Sequence, residues 1–178
     1  MSIYKYIVRK KEQQAVGTNT RSHAFLNLDQ VKNVMILFDG KDIGQIIRIA
    51  KDLKSTGKNV SLWTTISRNE NMRSTKEFED ISLRIITPKE KSRFMILSGN
   101  VLNEFKQQEC DMLLDMSESK NVTISYLMAN TDCSFCVGIK EPDFPVYDFI
   151  YLKDPDQNLV DAFEQIKIYL TRYVTRSK

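Results

Sequence analysis

Histidine is almost absent from this chain: His23 is the only one in 178 residues. Cysteine is scarce and odd in number, with Cys110, Cys133 and Cys136. Glycine and proline are also few, at six and four. Each shortage excludes something. One histidine and a single Cys-x-x-Cys pair cannot supply a four-ligand zinc site, so no metal is expected. Three cysteines do not make a secreted disulfide scaffold, and reduced thiols in a cytoplasmic protein are the simpler reading. So little glycine and proline argues against low complexity. No run approaches the roughly 18 apolar residues of a membrane span. Residues 1–11 hold no uninterrupted apolar stretch and no small-residue cleavage site, so no signal peptide is expected.

Charge of one sign is lacking too. The net charge is +3. Residues 1–25 carry Lys5, Arg9, Lys10, Lys11 and Arg21 against Glu12 alone, which puts +4 on the leader and leaves the remainder near neutral. A nucleic-acid binder would carry its positive charge on the domain itself, and no nucleic-acid partner is expected.

What is present is a core. Hydrophobic residues make up 42% of the chain and aromatics 10%, enough for one buried domain. The leader groups Ile3, Tyr4, Ile7 and Val8 beside Arg9, Lys10 and Lys11, which predicts a short helix over 2–14. Residues 17–23 form a polar break. This divides the chain into a basic N-terminal helix and break, 1–25, and a single α/β domain, 26–178. Such a helix reads as an arm, dispensable for the core and available to a protein partner or a second copy.

Within the domain, Val34-Met35-Ile36-Leu37-Phe38 is continuously apolar, as a strand covered on both faces should be. Asp42 sits three residues before Gln45, a capping-box spacing. Ile43, Ile46, Ile47, Ala50 and Leu53 follow at helical spacing, and Gly57 ends that helix. Further strands are predicted at 60–66, 81–86, 112–115, 133–139 and 146–152. Helices are predicted around 72–78, from Ser98 through Phe105, and over 121–129. The last helix is expected to open with Asp154 as N-cap, Pro155 at its first position and Gln157 completing the box. The alternation predicts a Rossmann-like three-layer sandwich, its sheet mostly parallel with five or six strands. Strands 34–38 and 112–115 should be central and adjacent, in the order 3-2-1-4-5.

Ligands on such sheets bind beyond the carboxyl ends of the strands, where strand order reverses. Those ends supply Asp39, Gly40 and Lys41 after the first strand and Asp115 and Ser117 after the fourth. These five are the candidate ligand-binding residues, with Lys41 as the nearest cation for the carboxylates. The competing reading is that both aspartates only end strands and orient turns. No Gly-x-Gly-x-x-Gly exists, and Gly40-Lys41 lacks the rest of a P-loop, so no nucleotide cofactor is expected. Cys133-Ser-Phe-Cys136 has redox-motif spacing, but it opens a strand instead of a helix. On a strand its two side chains would face opposite sides. His23 lies in the polar break and reads as a surface residue.

The pattern Arg21-x-x-x-Phe25-x-Asn27-Leu28, the strand ending Leu37-Phe38-Asp39, Cys110-Asp111-x-Leu113-Leu114-Asp115, Tyr126-Leu127 and Phe135-x-Val137-Gly138 resemble a family of uncharacterised α/β proteins from Bacteroidota. The resemblance covers the whole chain and implies a fold without an activity. Part of the pattern also looks like the N-terminal half of heptosyltransferase-type glycosyltransferases, whose second nucleotide-binding domain 178 residues cannot hold. The expected function is therefore a non-catalytic binding or interaction protein. The alternative is a small-molecule enzyme acting on a nucleotide or sugar at the crevice between the two loops, with the aspartates as acid, base or metal ligands.

Overall fold

The computed structural model describes residues 3–65, 81–92 and 96–172. The helix expected around 72–78 lies outside them. Six strands form one sheet: β1 (Asn33–Asp39), β2 (Asn59–Thr65), β3 (Ser82–Ile86), β4 (Met112–Asp115), β5 (Phe135–Gly138) and β6 (Phe149–Ile150). Their order is β3-β2-β1-β4-β5-β6, and every pairing is parallel. The two continuously apolar strands, β1 and β4, are central and adjacent. They run in register from Val34 opposite Met112 to Leu37 opposite Asp115.

Alternation along these strands divides the core between the two faces of the sheet. Val34, Ile36 and Phe38 of β1, with Met112 and Leu114 of β4, pack with α2 (Ile43–Ser55) and α5 (Leu159–Arg172). Met35, Leu37 and Leu113 turn the other way, onto α3 (Gly99–Lys106) and α4 (Val122–Ala129). The result is three layers, helix on sheet on helix.

Local chemistry sets the helix ends. Asn121 caps α4, its side-chain oxygen accepting from the amides of Thr123 and Ile124. Gly57 takes φ of 80°, the left-handed turn that ends α2, and its amide donates to the Lys54 carbonyl at 2.9 Å. Two sequence expectations fail here. Asp42 makes no side-chain cap bond at the start of α2. Gln45 instead accepts from the amide of Leu159 at 2.8 Å, joining α2 to α5. The last helix also begins four residues later than Asp154-Pro155 suggested. Asn158 caps it by accepting from the Asp161 amide at 2.9 Å, while Gln157 accepts from the Tyr151 hydroxyl at 3.0 Å.

The N-terminal helix α1 (Ile3–Thr18) lies against α4. This explains a sequence oddity: α4 is apolar nearly all round and has no exposed residue, which requires cover on both sides. Val8 is buried, and Val16 packs onto the core of that face.

Glu12 is buried as well, and its Oε1 has no hydrogen-bond partner among the described residues. Burial, then the Asp143 carboxylate, push its pKa up to about 7 against the smaller pull of Arg9. The folded value lies above the ordinary 4.5, so the cost is absent below that pH and complete above about 7. Stability contributed at this position therefore falls as pH rises through that window. Glu12→Gln is expected to stabilise the fold by about 1–2 kcal/mol at mildly alkaline pH, allowing for solvent screening, and to change little at acid pH. Urea midpoints at the two pH values check this.

Candidate functional site

Asp39 and Asp115 end adjacent parallel strands, so both arrive at the carboxyl edge of the sheet where strand order reverses. The structure brings them to one place, as the topology requires. Their carboxylates, however, do not face an open crevice. The loop between β4 and α4 folds down over them and takes up their hydrogen-bonding capacity.

Asp39 is buried. Its Oδ2 accepts from the amide of Ser119 at 3.1 Å and from its hydroxyl at 2.8 Å. Its Oδ1 accepts from Asn121 Nδ2 at 3.3 Å. Since Asn121 also caps α4, Asp39 ties the end of β1 to the start of that helix. Asp115 is buried too, 1% exposed. Its Oδ1 accepts from the Ser117 amide at 2.9 Å and hydroxyl at 2.5 Å. Its Oδ2 accepts from the Tyr147 hydroxyl at 2.5 Å and lies 3.4 Å from Lys140 Nζ. Burial first, then the Asp115 charge, raise the pKa of Tyr147, so this phenol is a fixed neutral donor.

The cation that serves this cluster is Lys140. Its Nζ donates to the carbonyls of Ser117 at 2.6 Å and Ser119 at 3.1 Å, and to the Ser117 hydroxyl. Lys41, the sequence candidate for that role, sits 59% exposed at the rim, 3.6 Å from Glu118. Glu118 in turn pairs with Lys153 at 2.9 Å, where the lysine side chain is 7% exposed. Ser117, Glu118, Ser119 and Asn121 thus hold the β4–α4 connection in place. Sequence reasoning missed Lys140 and Tyr147. Lys140 follows β5 by two residues, so the rule that selected Asp39 and Asp115 would also have delivered it to the same edge. Gly138 allows the Tyr147 contact: a Cβ there would stand 2.5 Å from the tyrosine ring.

Gly40 is half-buried and opens a short 3₁₀ turn, Gly40–Asp42. Outside this turn lies an open hollow of about 280 Å³, lined by Lys41, Asp42, Gly44, Gln45 and Arg48. Asp42 is the residue the sequence undervalued. It is 9% exposed, and its Oδ2 has no hydrogen-bond partner among the described residues. Burial is the main cause that raises its pKa. Lys41 opposes this, while the Glu118 and Asp39 charges add to it. The rim therefore combines two exposed cations, one buried carboxyl whose pKa is raised by burial, and the first turn of α2.

Cys133 and Cys136 do not face opposite sides of the sheet. Strand β5 begins only at Phe135, so Cys133 precedes the pleat and both side chains join the same core cluster. His23 is exposed, as expected, though its Nδ1 lies 2.6 Å from Asp148 Oδ1.

No helix among the described residues is long and apolar enough to cross a membrane. No curated protein and no solved structure matches the chain. One family model does match, over residues 1–172, and it is described as a family of unknown function, DUF6913. Since the match spans nearly the whole chain, this α/β protein belongs to that family.

Proposed function

We propose that the protein is a non-catalytic binding or interaction protein that uses the carboxyl edge of its sheet. The observation that carries this reading is the loop between β4 and α4. Ser117, Ser119, Asn121 and Lys140 engage both aspartates, or the loop over them, from within the chain. Buried carboxylates with satisfied partners act as structural links, and a base or metal ligand needs an open coordination position. What remains reachable is the rim: Lys41, Gly44, Gln45 and Arg48 around the hollow, with Gly40 in the turn beside it. A cytoplasmic location, suggested by the sparse cysteines, is part of the same proposal.

The second reading, a small-molecule enzyme acting on a nucleotide or sugar, draws on Asp42. Its raised pKa and unpartnered Oδ2 beside the hollow are properties of a general acid.

A thermal-shift screen of the full chain with nucleotides, sugar nucleotides and divalent cations separates the two, because a specific ligand stabilises the fold by mass action. The binding reading expects a ligand that raises the melting temperature, is recovered unchanged, and binds less tightly to Lys41→Ala and Arg48→Ala. Conversion of that ligand to product, abolished by Asp42→Asn, would replace the binding reading with the enzymatic one.

A further inference from the structure

The molecule carries a second chemistry-bearing cluster at the opposite end of the sheet, where all three cysteines meet. We propose that Cys110 and Cys133 are a redox site, forming a reversible disulfide when the protein meets a small peroxide.

Their sulfurs are in direct contact at 2.7 Å, the Cys110 thiol donating to Cys133. The register of the sheet produces this contact. Met112 pairs with Phe135 and Leu113 with Cys136, so the segments that lead into β4 and β5, which carry Cys110 and Cys133, meet at the same edge of the sheet. Neighbouring strands lie about 4.8 Å apart, and disulfides bridge Cα separations of roughly 4.4–6.8 Å. The Cys133 backbone is held from both sides: its amide donates to Thr131 Oγ1 at 3.2 Å, and its carbonyl accepts from Arg21 Nη1 at 3.2 Å. Among the described residues no group of three His, Cys, Asp or Glu side chains is placed to hold a metal ion. The chemistry open to the pair is therefore sulfur with sulfur.

The three thiols are not equivalent. The Cys133 sulfur accepts from the Cys110 thiol, and this bond first, then Cys136 and more weakly the Arg21 charge, hold its pKa below the ordinary thiol value against the burial that raises it. Cys133 and Cys136 are both buried, at 4% and 0% exposed, so a small oxidant reaches Cys133 past the half-buried Cys110.

The Cys133 thiolate attacks one oxygen of hydrogen peroxide, an S–O bond forms, the O–O bond breaks, and the departing hydroxide takes a proton to become water. Cys133 is then a sulfenic acid. The Cys110 sulfur attacks the Cys133 sulfur, the S–S bond forms, the S–O bond breaks, and the leaving hydroxide carries off the Cys110 proton as a second water. Two electrons pass from the thiol pair to the peroxide, and a dithiol reductant returns them. The bridge joins the turn before β4 to the turn before β5 and closes a short loop around α4. Restricting the unfolded chain in this way should raise the melting temperature by roughly 5–10 °C.

The test treats the full chain with hydrogen peroxide, unfolds it, labels free thiols with a maleimide, and maps the peptides by mass spectrometry. The expected result is a peptide pair linked through Cys110 and Cys133, Cys136 alone labelled, and full labelling restored by dithiothreitol. The Cys136→Ser chain should form the same bridge, and the Cys110→Ser chain should stop at the sulfenic acid of Cys133, trapped by dimedone. Three labelled thiols after peroxide, or a bridge between Cys133 and Cys136, would overturn the proposal.

Discussion

Arg21→Ala should cost about 3–5 kcal/mol of folding stability, the range for breaking a buried ion pair by removing one partner. Arg21 and Asp148 have side chains only 5% and 8% exposed and meet at 2.9 Å. The guanidinium also donates to the carbonyls of Cys133, Ser134 and Val146. Asp148 accepts from the Cys136 amide at 2.7 Å and lies against His23. Removing Arg21 leaves a buried carboxylate without its cation and three carbonyls without a donor. Chemical denaturation measures the loss. A change under about 1 kcal/mol would mean that water takes over these bonds and that the pair is peripheral.

Removing residues 1–18 should be nearly as damaging. The sequence reading made this helix a dispensable arm. Its packing on α4 says otherwise, because α4 has no polar face to turn outward. Loss of the buried Val8 and the half-buried Val16 alone should cost about 2–3 kcal/mol. The bared apolar face should also drive self-association. Light scattering and thermal unfolding of the truncated chain check both effects. A monomer that melts with the parent would restore the arm.

The layout of the sheet could be read from the residues because burial on two faces leaves a plain mark: β1 and β4 are apolar without interruption. The meeting of Asp39 and Asp115 followed from topology alone. Their role did not, because it depends on distant groups. Ser119 lies 80 residues from Asp39, and Tyr147 lies 32 from Asp115. No local pattern marks such partners. The Asp154-Pro155 signal misplaced the start of α5 because Asn158 offers an equally good cap nearer the apolar run. Arg21 sits in a polar stretch that reads as a break, yet the Ala24 amide donates to the Ser134 carbonyl and Asn19 to those of Ala129 and Thr131. The cysteine contact needed the β4–β5 register, which spacing within one segment cannot reveal.

The central claim is that the two aspartates at the switch point hold the structure and do not hold a ligand. It is tested most directly by equilibrium unfolding of Asp39→Asn and Asp115→Asn, each measured with and without the ligands that stabilise the parent chain. Each variant is expected to lose about 1–3 kcal/mol through donors left facing an amide, with ligand binding persisting in whatever fraction remains folded. Parental stability in both variants, together with lost binding, would contradict it and make Asp39 and Asp115 the ligand-binding groups.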